Sequence, residues 1–301
     1  FSTIQAAVNS ASNSQNPSEI LIANNQIYND TLFLDHNNIL LNGQFSDCSQ
    51  ARLGLTTQDK STIQGQNNAT PTIHIRGSNV SLKNILLIEN SNGGVFADGT
   101  SDINLENMVL SSLGPGVSAV KIIGLGQVNL QIKDSEFSSN TAPQGAAINC
   151  SGSNHFINIS RTSFTDNEAI GGSIHKQGGA IYADGCDFSV YDSAFQNNRA
   201  DFGGGVHLIS SDVLLNTTTF SNNIAKFSSG ALVASNSTID AEGVRLTDNQ
   251  GTMSLAGAIG LENSTLNLKK TTPNCLKDVK CNHLSNNTAG FAGGTIGSES
   301  G

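Results

Sequence analysis

The chain has 301 residues, 37% of them apolar and 5% aromatic, with no Trp, 31 Gly and a formal net charge of −9. Only 15 residues are Lys or Arg, which leaves no basic stripe for a nucleic acid and weakens the case for an acidic polysaccharide. No apolar run approaches the roughly 18 to 20 residues that cross a bilayer as a helix. The many Gly, Asn, Ser and Thr residues fit a narrow core with many corners rather than a wide-cored globular enzyme.

Residues 1–12 place Phe1, Ile4, Ala7, Val8 and Ala11 on one face at helical spacing, with Ser2 as N-cap. A short amphipathic helix here covers the open end of the fold that follows. Residues 13–136 read as strands separated by Asn, Asp and Gly turns, among them Glu19-Ile-Leu-Ile-Ala, Thr31-Leu-Phe-Leu, Thr72-Ile-His-Ile and Ile85-Leu-Leu-Ile. Residues 45–60, with Cys48, are polar and irregular and read as a loop leaving the strands.

From residue 137 to 301 one phrase recurs: an aromatic or Leu, two residues, Asn, then a Gly-Ala-type pair before an aliphatic anchor. It reads Phe137 to Asn140, Phe164 to Asn167, Phe195 to Asn198, Phe220 to Asn223, Leu246 to Asn249 and Leu284 to Asn287. The anchors Ile148, Ile181, Val206, Leu232, Ile259 and Ile296 are separated by 33, 25, 26, 27 and 37 residues. A period in this range denotes a solenoid or array, and the alternating segments between anchors make its units strands rather than helices. The expected fold is therefore all-β: a single right-handed parallel β-helix, a pectin-lyase-like solenoid of about ten coils, roughly 50 Å long at the spacing of paired strands. Before residue 137 the period is looser and the phrase is taken to be absent. Within the repeats, the Phe side chains are expected to stack as an internal column and the Asn side chains to form a corner ladder that satisfies backbone groups of neighbouring coils.

Two interruptions stand out. Phe164 to Ile181 takes 17 residues where other copies take 11 to 13, the surplus being residues 170–177 with His175 and Lys176; Ile259 to Leu284 takes 25 where others take 14 to 16. Insertions leave a coil as surface loops, where function concentrates. The second surplus holds Lys269, Lys270, Lys277 and Lys280, and also Cys275 and Cys281, which are expected to bridge and stiffen the loop in an oxidising setting, the alternative being two free thiols. The five cysteines form no metal-site spacing. Cys150 aligns with Ala183, three residues from Cys186, so these two are expected to lie too far apart to bond without a shift. Nine Asn-X-Ser/Thr sequons are present; with this much Asn, Ser and Thr, chance and glycosylation both account for them. The chain starts at Phe1 and ends within a repeat, which is expected of a mature or excised piece followed by further coils.

A β-helix can carry polysaccharide lyases and hydrolases, which need paired carboxylates or a basic proton acceptor beside a calcium site. The acids here are scattered, and turn chemistry accounts for Asp166, Asp248, Asp184 and Asp187. His175, Lys176 and His207 could form a basic patch, set against a solvated loop and a strand-face histidine. Gly203-Gly-Gly runs into a strand, not a helix, and so makes no phosphate cradle.

The alternation of Phe-X-X-Asn with Gly-Gly-Ala-(Ile/Leu/Val) resembles the repeat of the chlamydial polymorphic outer-membrane proteins and of related bacterial surface proteins, over Phe137 to Ile296. Two of the six copies have Leu in place of Phe, and some have lost a Gly. The resemblance implies a surface-exposed passenger region, often of an autotransporter, that mediates adhesion. The expected function is thus a non-enzymatic, adhesin-like binding region at the bacterial cell surface. Its expected partner is a host-cell or surface ligand, protein or glycan, with no cofactor, metal or nucleic acid. Binding contacts are expected from His175, Lys176, His207, Lys269, Lys270, Lys277 and Lys280; a polysaccharide-active enzyme and a plain structural stalk are the alternatives.

Overall fold

The structure, a computed structural model, describes residues 1, 3–11, 17–66, 70–99, 101–172, 176–254, 256–269, 281–290 and 295–299. An alternating segment of three to six residues buries one side only, so each strand turns its apolar side inward and pairs in parallel with its equivalent one coil away. In the first ladder Leu41, Leu82, Leu105, Ile132, Ile159, Val190, Leu215 and Ala241 lie above one another in register. The second ladder has ten parallel strands, in which Ile63, Leu87, Leu110, Phe137, Phe164, Phe195, Phe220, Leu246 and Leu284 share one inward column. A third ladder consists of two-residue strands from Thr141–Ala142 to Thr288–Ala289. The fourth runs from Leu32–Leu34 through Val206–Ile209 to Ile296–Glu299. Strands Ile148–Ser160 and Ile181–Tyr191 continue through a corner, which joins the first and fourth ladders into one 18-stranded sheet. The architecture is an all-β parallel solenoid around one narrow apolar core.

Corners are made the same way in coil after coil. The residue after the second-ladder strand is left-handed at Glu89, Ser112, Ser139, Asp166, Asn197, Asn222, Asp248 and Asn286, with φ between 51° and 56°. Asn, Asp and Ser tolerate that region because their side chains bond the local backbone. In the Gly-Gly phrase, Gly178 is left-handed (φ 63°), and a Cβ on Gly179 would collide with the Gly204 carbonyl oxygen of the next coil.

The four Phe rings of the column stack, with centroids 5.0, 4.6 and 4.6 Å apart and planes within 15°. Beside them runs the amide ladder. Asn140, Asn167, Asn198, Asn223 and Asn249 each donate one Nδ2–H to the Oδ1 of the Asn in the next coil, ending at Asn287, at 2.9 to 3.0 Å. The second Nδ2–H goes to a carbonyl of the previous coil, as from Asn198 to Phe164 at 2.9 Å. Each Oδ1 also accepts the preceding Asn backbone N–H, so the buried corner is fully satisfied.

The N-terminal helix α1 spans Ile4–Ala11 and buries Ile4, Ala7 and Val8. Its first turn is held by Thr3 Oγ1, which accepts from Ala6 N–H, and by Asp30, which accepts from the Ile4 and Gln5 N–H groups. Ser2 lies outside the described residues.

Three expectations are corrected. Residues 45–60 are not wholly irregular: Asp47 accepts from the Ser49 and Gln50 N–H groups and caps a short helix, α2, Cys48–Arg52. The repeat phrase also reaches further back, because Leu87-Ile-Glu-Asn90 occupies the same ladder position and Asn90 is buried. Finally, Cys150 and Cys186 form a disulfide, with Cα atoms 6.3 Å apart. The alignment of Cys150 with Ala183 holds. The error was to treat three residues of sequence as distance along a straight strand. Asp184 and the left-handed Gly185 turn the chain, and Ser151/His155 mark a break in pairing register, so Cys186 returns toward the same core. Cys281 is also disulfide-bonded; Cys275 lies outside the described residues.

Candidate functional site

Several acids outside the core are committed to links between coils. Arg161 grips Asp134 through two hydrogen bonds of 2.6 and 3.0 Å, Arg76 grips Asp98 at 3.1 Å, Lys83 meets Glu106 at 2.8 Å, and Lys269 meets Asp240 at 3.3 Å. Hydrogen bonds from Arg76, Lys83 and Arg161 hold the Asp98, Glu106 and Asp134 carboxyls below their ordinary range, and those from Asn267 and Lys269 do the same for Asp240. Such carboxylates are poor general acids near neutral pH. Among the described residues no three His, Cys, Asp or Glu side chains gather as a metal site requires.

A different chemistry appears on the outer face of the fourth ladder. Its outward row reads Tyr182, His207, Val233, Gly260 and Gly297, in register from coil to coil. The side chains shrink along this row, so the surface sinks into a groove. One wall is a ridge built by Phe202, Phe227 and Met253, from the turns that precede the fourth-ladder strands. The Phe202 and Phe227 rings are 5.9 Å apart and tilted by 43°. Backbone hydrogen bonds from Phe227 to Asp201 and from Met253 to Lys226 hold the ridge in coil register. The other wall carries Ile209, Ser235 and Glu262, with Ser235 Oγ 2.8 Å from the Glu262 carboxylate. The groove encloses about 510 Å³ and includes Gln177, Ser228, Ser229 and Ser254. Phe227 is 37% and Met253 47% exposed, an apolar edge beside a hydroxyl- and carboxylate-bearing one.

His207 sits at the narrow end, 5.7 Å from Tyr182 in edge-to-face contact and 6.3 Å from Phe202. It is 5% exposed, and burial pushes its pKa down to about 4. At neutral pH it is an uncharged imidazole, not part of a basic patch. A second concavity, about 580 Å³, follows the corner after the first ladder, and its charged lining includes the Arg161–Asp134 pair.

Of the residues expected to bind, His207 lines the groove. Lys176 stands at its edge, where its carbonyl accepts from the Asp201 and Phe202 N–H groups. Lys269 is elsewhere, paired with Asp240 beside the first ladder. His175, Lys270, Lys277 and Lys280 lie outside the described residues. The ridge and the floor of small residues were missed. Their signal was present in the sequence as a second Phe position immediately before the Gly-rich phrase, at Phe202-Gly-Gly and Phe227-Ser-Ser-Gly.

Residues 161–184 match the Chlamydia polymorphic membrane protein repeat. They contain the Phe164 to Asn167 phrase and the Gly-Gly-Ala-Ile181 anchor. No curated protein matches the chain. Among solved structures, a crystal structure of a pectin methylesterase mutant in complex with a hexasaccharide is similar, with 13% identity, 95% of this chain and 89% of that chain covered, and a TM-score of 0.47. A likeness at that level carries no argument about chemistry. No helix among the described residues is long and apolar enough to cross a membrane.

Proposed function

We propose that this chain, which carries the Chlamydia polymorphic membrane protein repeat at residues 161–184, is a non-enzymatic binding region displayed on a bacterial cell surface. The repeat supports the surface setting. A right-handed winding of about ten coils belongs to the same reading: crossovers between parallel strands of one sheet are almost always right-handed, and the second ladder has ten strands.

The observation that carries the binding reading is the groove beside Phe202, Phe227 and Met253. A plain stalk needs no concave face with exposed large apolar side chains, and such patches mark interaction sites. Several acids that hydrolysis could draw on are instead tied to neighbouring coils. Purified chain labelled at its N-terminus is expected to bind host epithelial cells saturably, and the Phe202→Ala/Phe227→Ala double variant is expected to bind at least tenfold more weakly. Equal binding by the double variant removes the groove from the reading. Release of reducing ends, or of unsaturated product absorbing at 235 nm, from a polysaccharide panel would replace it with an enzyme.

A further inference from the structure

The groove contains two polar atoms that no described residue partners. His207 Nδ1 and Ser229 Oγ are both shut off from water and meet no hydrogen-bond partner among the described residues. Their side chains are deeply buried, the residues being 5% and 1% exposed. Buried polar groups are nearly always paired in folded proteins, so two exceptions lining one groove call for an explanation. Gly260 sharpens the point. A Cβ there would come within 2.6 Å of Ser229 Oγ, so the glycine lets that hydroxyl lie directly against the groove floor.

We propose that the groove binds a neutral glycan, with the apolar face of a sugar ring packed on the Phe202–Phe227 ridge and its hydroxyls directed to the Ser235–Glu262 wall and, once the His207 and Ser229 side chains rotate toward the groove, to Nδ1 and Oγ. This inference rests on the binding reading above and adds the ligand class. Three features select a sugar. The groove is two-sided, aromatic on one wall and hydroxyl- and carboxylate-bearing on the other, whereas a purely apolar occupant would strand Ser235, Glu262 and Ser254. Its lining carries the Glu262 carboxylate and no Lys or Arg. The Lys226 ammonium lies over the Phe227 ring, 4.7 Å from its centroid, on the ridge and away from the hydroxyl-bearing wall, so that wall, within a chain of net charge −9, disfavours acidic sugars. The volume, about 510 Å³, is that of a small-ligand site. The groove is also repetitive: each coil supplies one ridge residue and one floor residue at the strand spacing of about 4.8 Å. A linear saccharide laid along the axis meets one ridge residue and one floor residue in each coil, over a floor that deepens from His207 to Gly260.

The test uses the 301-residue chain with lactose, cellotriose and chitotriose as neutral probes and trigalacturonate as the anionic one, followed by saturation-transfer NMR and calorimetry. At least one neutral probe is expected to bind saturably, trigalacturonate at least tenfold more weakly. Phe227→Ala on the ridge and Gly260→Val on the floor are each expected to weaken the neutral probe at least tenfold. Ser235→Ala, on the opposite wall, is expected to weaken it several-fold, and it guards against a folding defect in the other two. Glu262→Gln is expected to narrow the gap to trigalacturonate. If no neutral probe binds while the chain still binds cells through the groove, the glycan inference falls and a protein partner replaces it. If neither cells nor probes bind, the binding reading falls as well. Unchanged affinity in all three groove variants, or equal affinity for trigalacturonate in the native chain, also overturns the inference.

Discussion

The coils before residue 137 and those after it share the first, second and fourth ladders, the third beginning only at Thr141, and they solve the same packing problem differently. In the second-ladder column the early coils place Ile63, Leu87 and Leu110, and the later ones place Phe137, Phe164, Phe195 and Phe220. Their amide chains differ too. Early on, Asn107 donates to Asn84 and Asn84 to Asn42, at 2.7 and 2.8 Å, on a different and half-exposed corner, the one after the first ladder. Later, the chain from Asn140 to Asn249 is fully buried and every amide is satisfied. Strand register, which the two halves share, builds the solenoid; the regular repeat makes its later coils interchangeable and stacks their exceptional features, the ridge included, into one line.

Core truncation is expected to separate the halves most. Phe195 stacks on Phe164 and Phe220, so Phe195→Ala is expected to lose about 4 to 5 kcal/mol, cavity and ring contacts together. Leu87→Ala in the early column is expected to lose about 3 kcal/mol. Urea unfolding monitored by circular dichroism measures both, and an equal or larger loss at Leu87 would erase the distinction between the columns.

The amide chains come next. Asn198→Ala strips the acceptor from Asn167 N–H and Nδ2 and the donor from the Phe164 carbonyl, all buried. A loss of about 2 to 3 kcal/mol is expected. Asn42→Ala removes a partner of Asn84 that water can replace, with an expected loss of about 1 kcal/mol or less. Matching losses in the same unfolding assay would mean that burial of the ladder contributes nothing.

The last contrast is one of pH. His155 and His207, both buried in the later coils, have pKa values lowered by desolvation, His207 to about 4. Unfolding returns them toward the ordinary histidine value near 6.5, so between pH 6.5 and 4 the unfolded chain holds more protons than the folded one. Stability is therefore complete above pH 6.5 and falls as the pH drops, by about 2 kcal/mol from His207 alone between pH 7 and 5. The carboxylates held low by Arg76, Lys83 and Arg161 lose their contribution only below about pH 4 to 4.5, in a separate window. His207→Phe is expected to flatten the pH 5 to 7 dependence; an unchanged slope would show that the ring is not desolvated.

Much of this was legible before any coordinates, for identifiable reasons. The Phe and Asn roles could be read because each repeats at a fixed period and each has one satisfying place in a coil, ring inward and amide at the corner. The early copy at Leu87 and Asn90 escaped notice because Leu113 stands where the next Asn would be, one coil before Asn140. The Cys150–Cys186 bond escaped because sequence separation measures contour length, and a corner folds that length back on itself. The groove was the least visible feature. Phe227, Val233, Gly260 and Glu262 come from different coils, and the lining of a concave surface depends on which outward side chains are small.

The period of 25 to 27 residues between most successive anchors, the alternation within the strands and the Asn, Gly and Asp corners determined that this chain winds as a parallel solenoid, since these are local properties that each coil imposes on itself. Only the tertiary structure decided what faces what across coils: that Cys150 meets Cys186, that Arg161 spends its charge on Asp134, and that a ridge of Phe202, Phe227 and Met253 overlooks a floor emptied at Gly260. Most of those contacts join residues 25 or more positions apart, and their geometry depends on register and corner conformation accumulated through the stack, which no single segment of sequence contains.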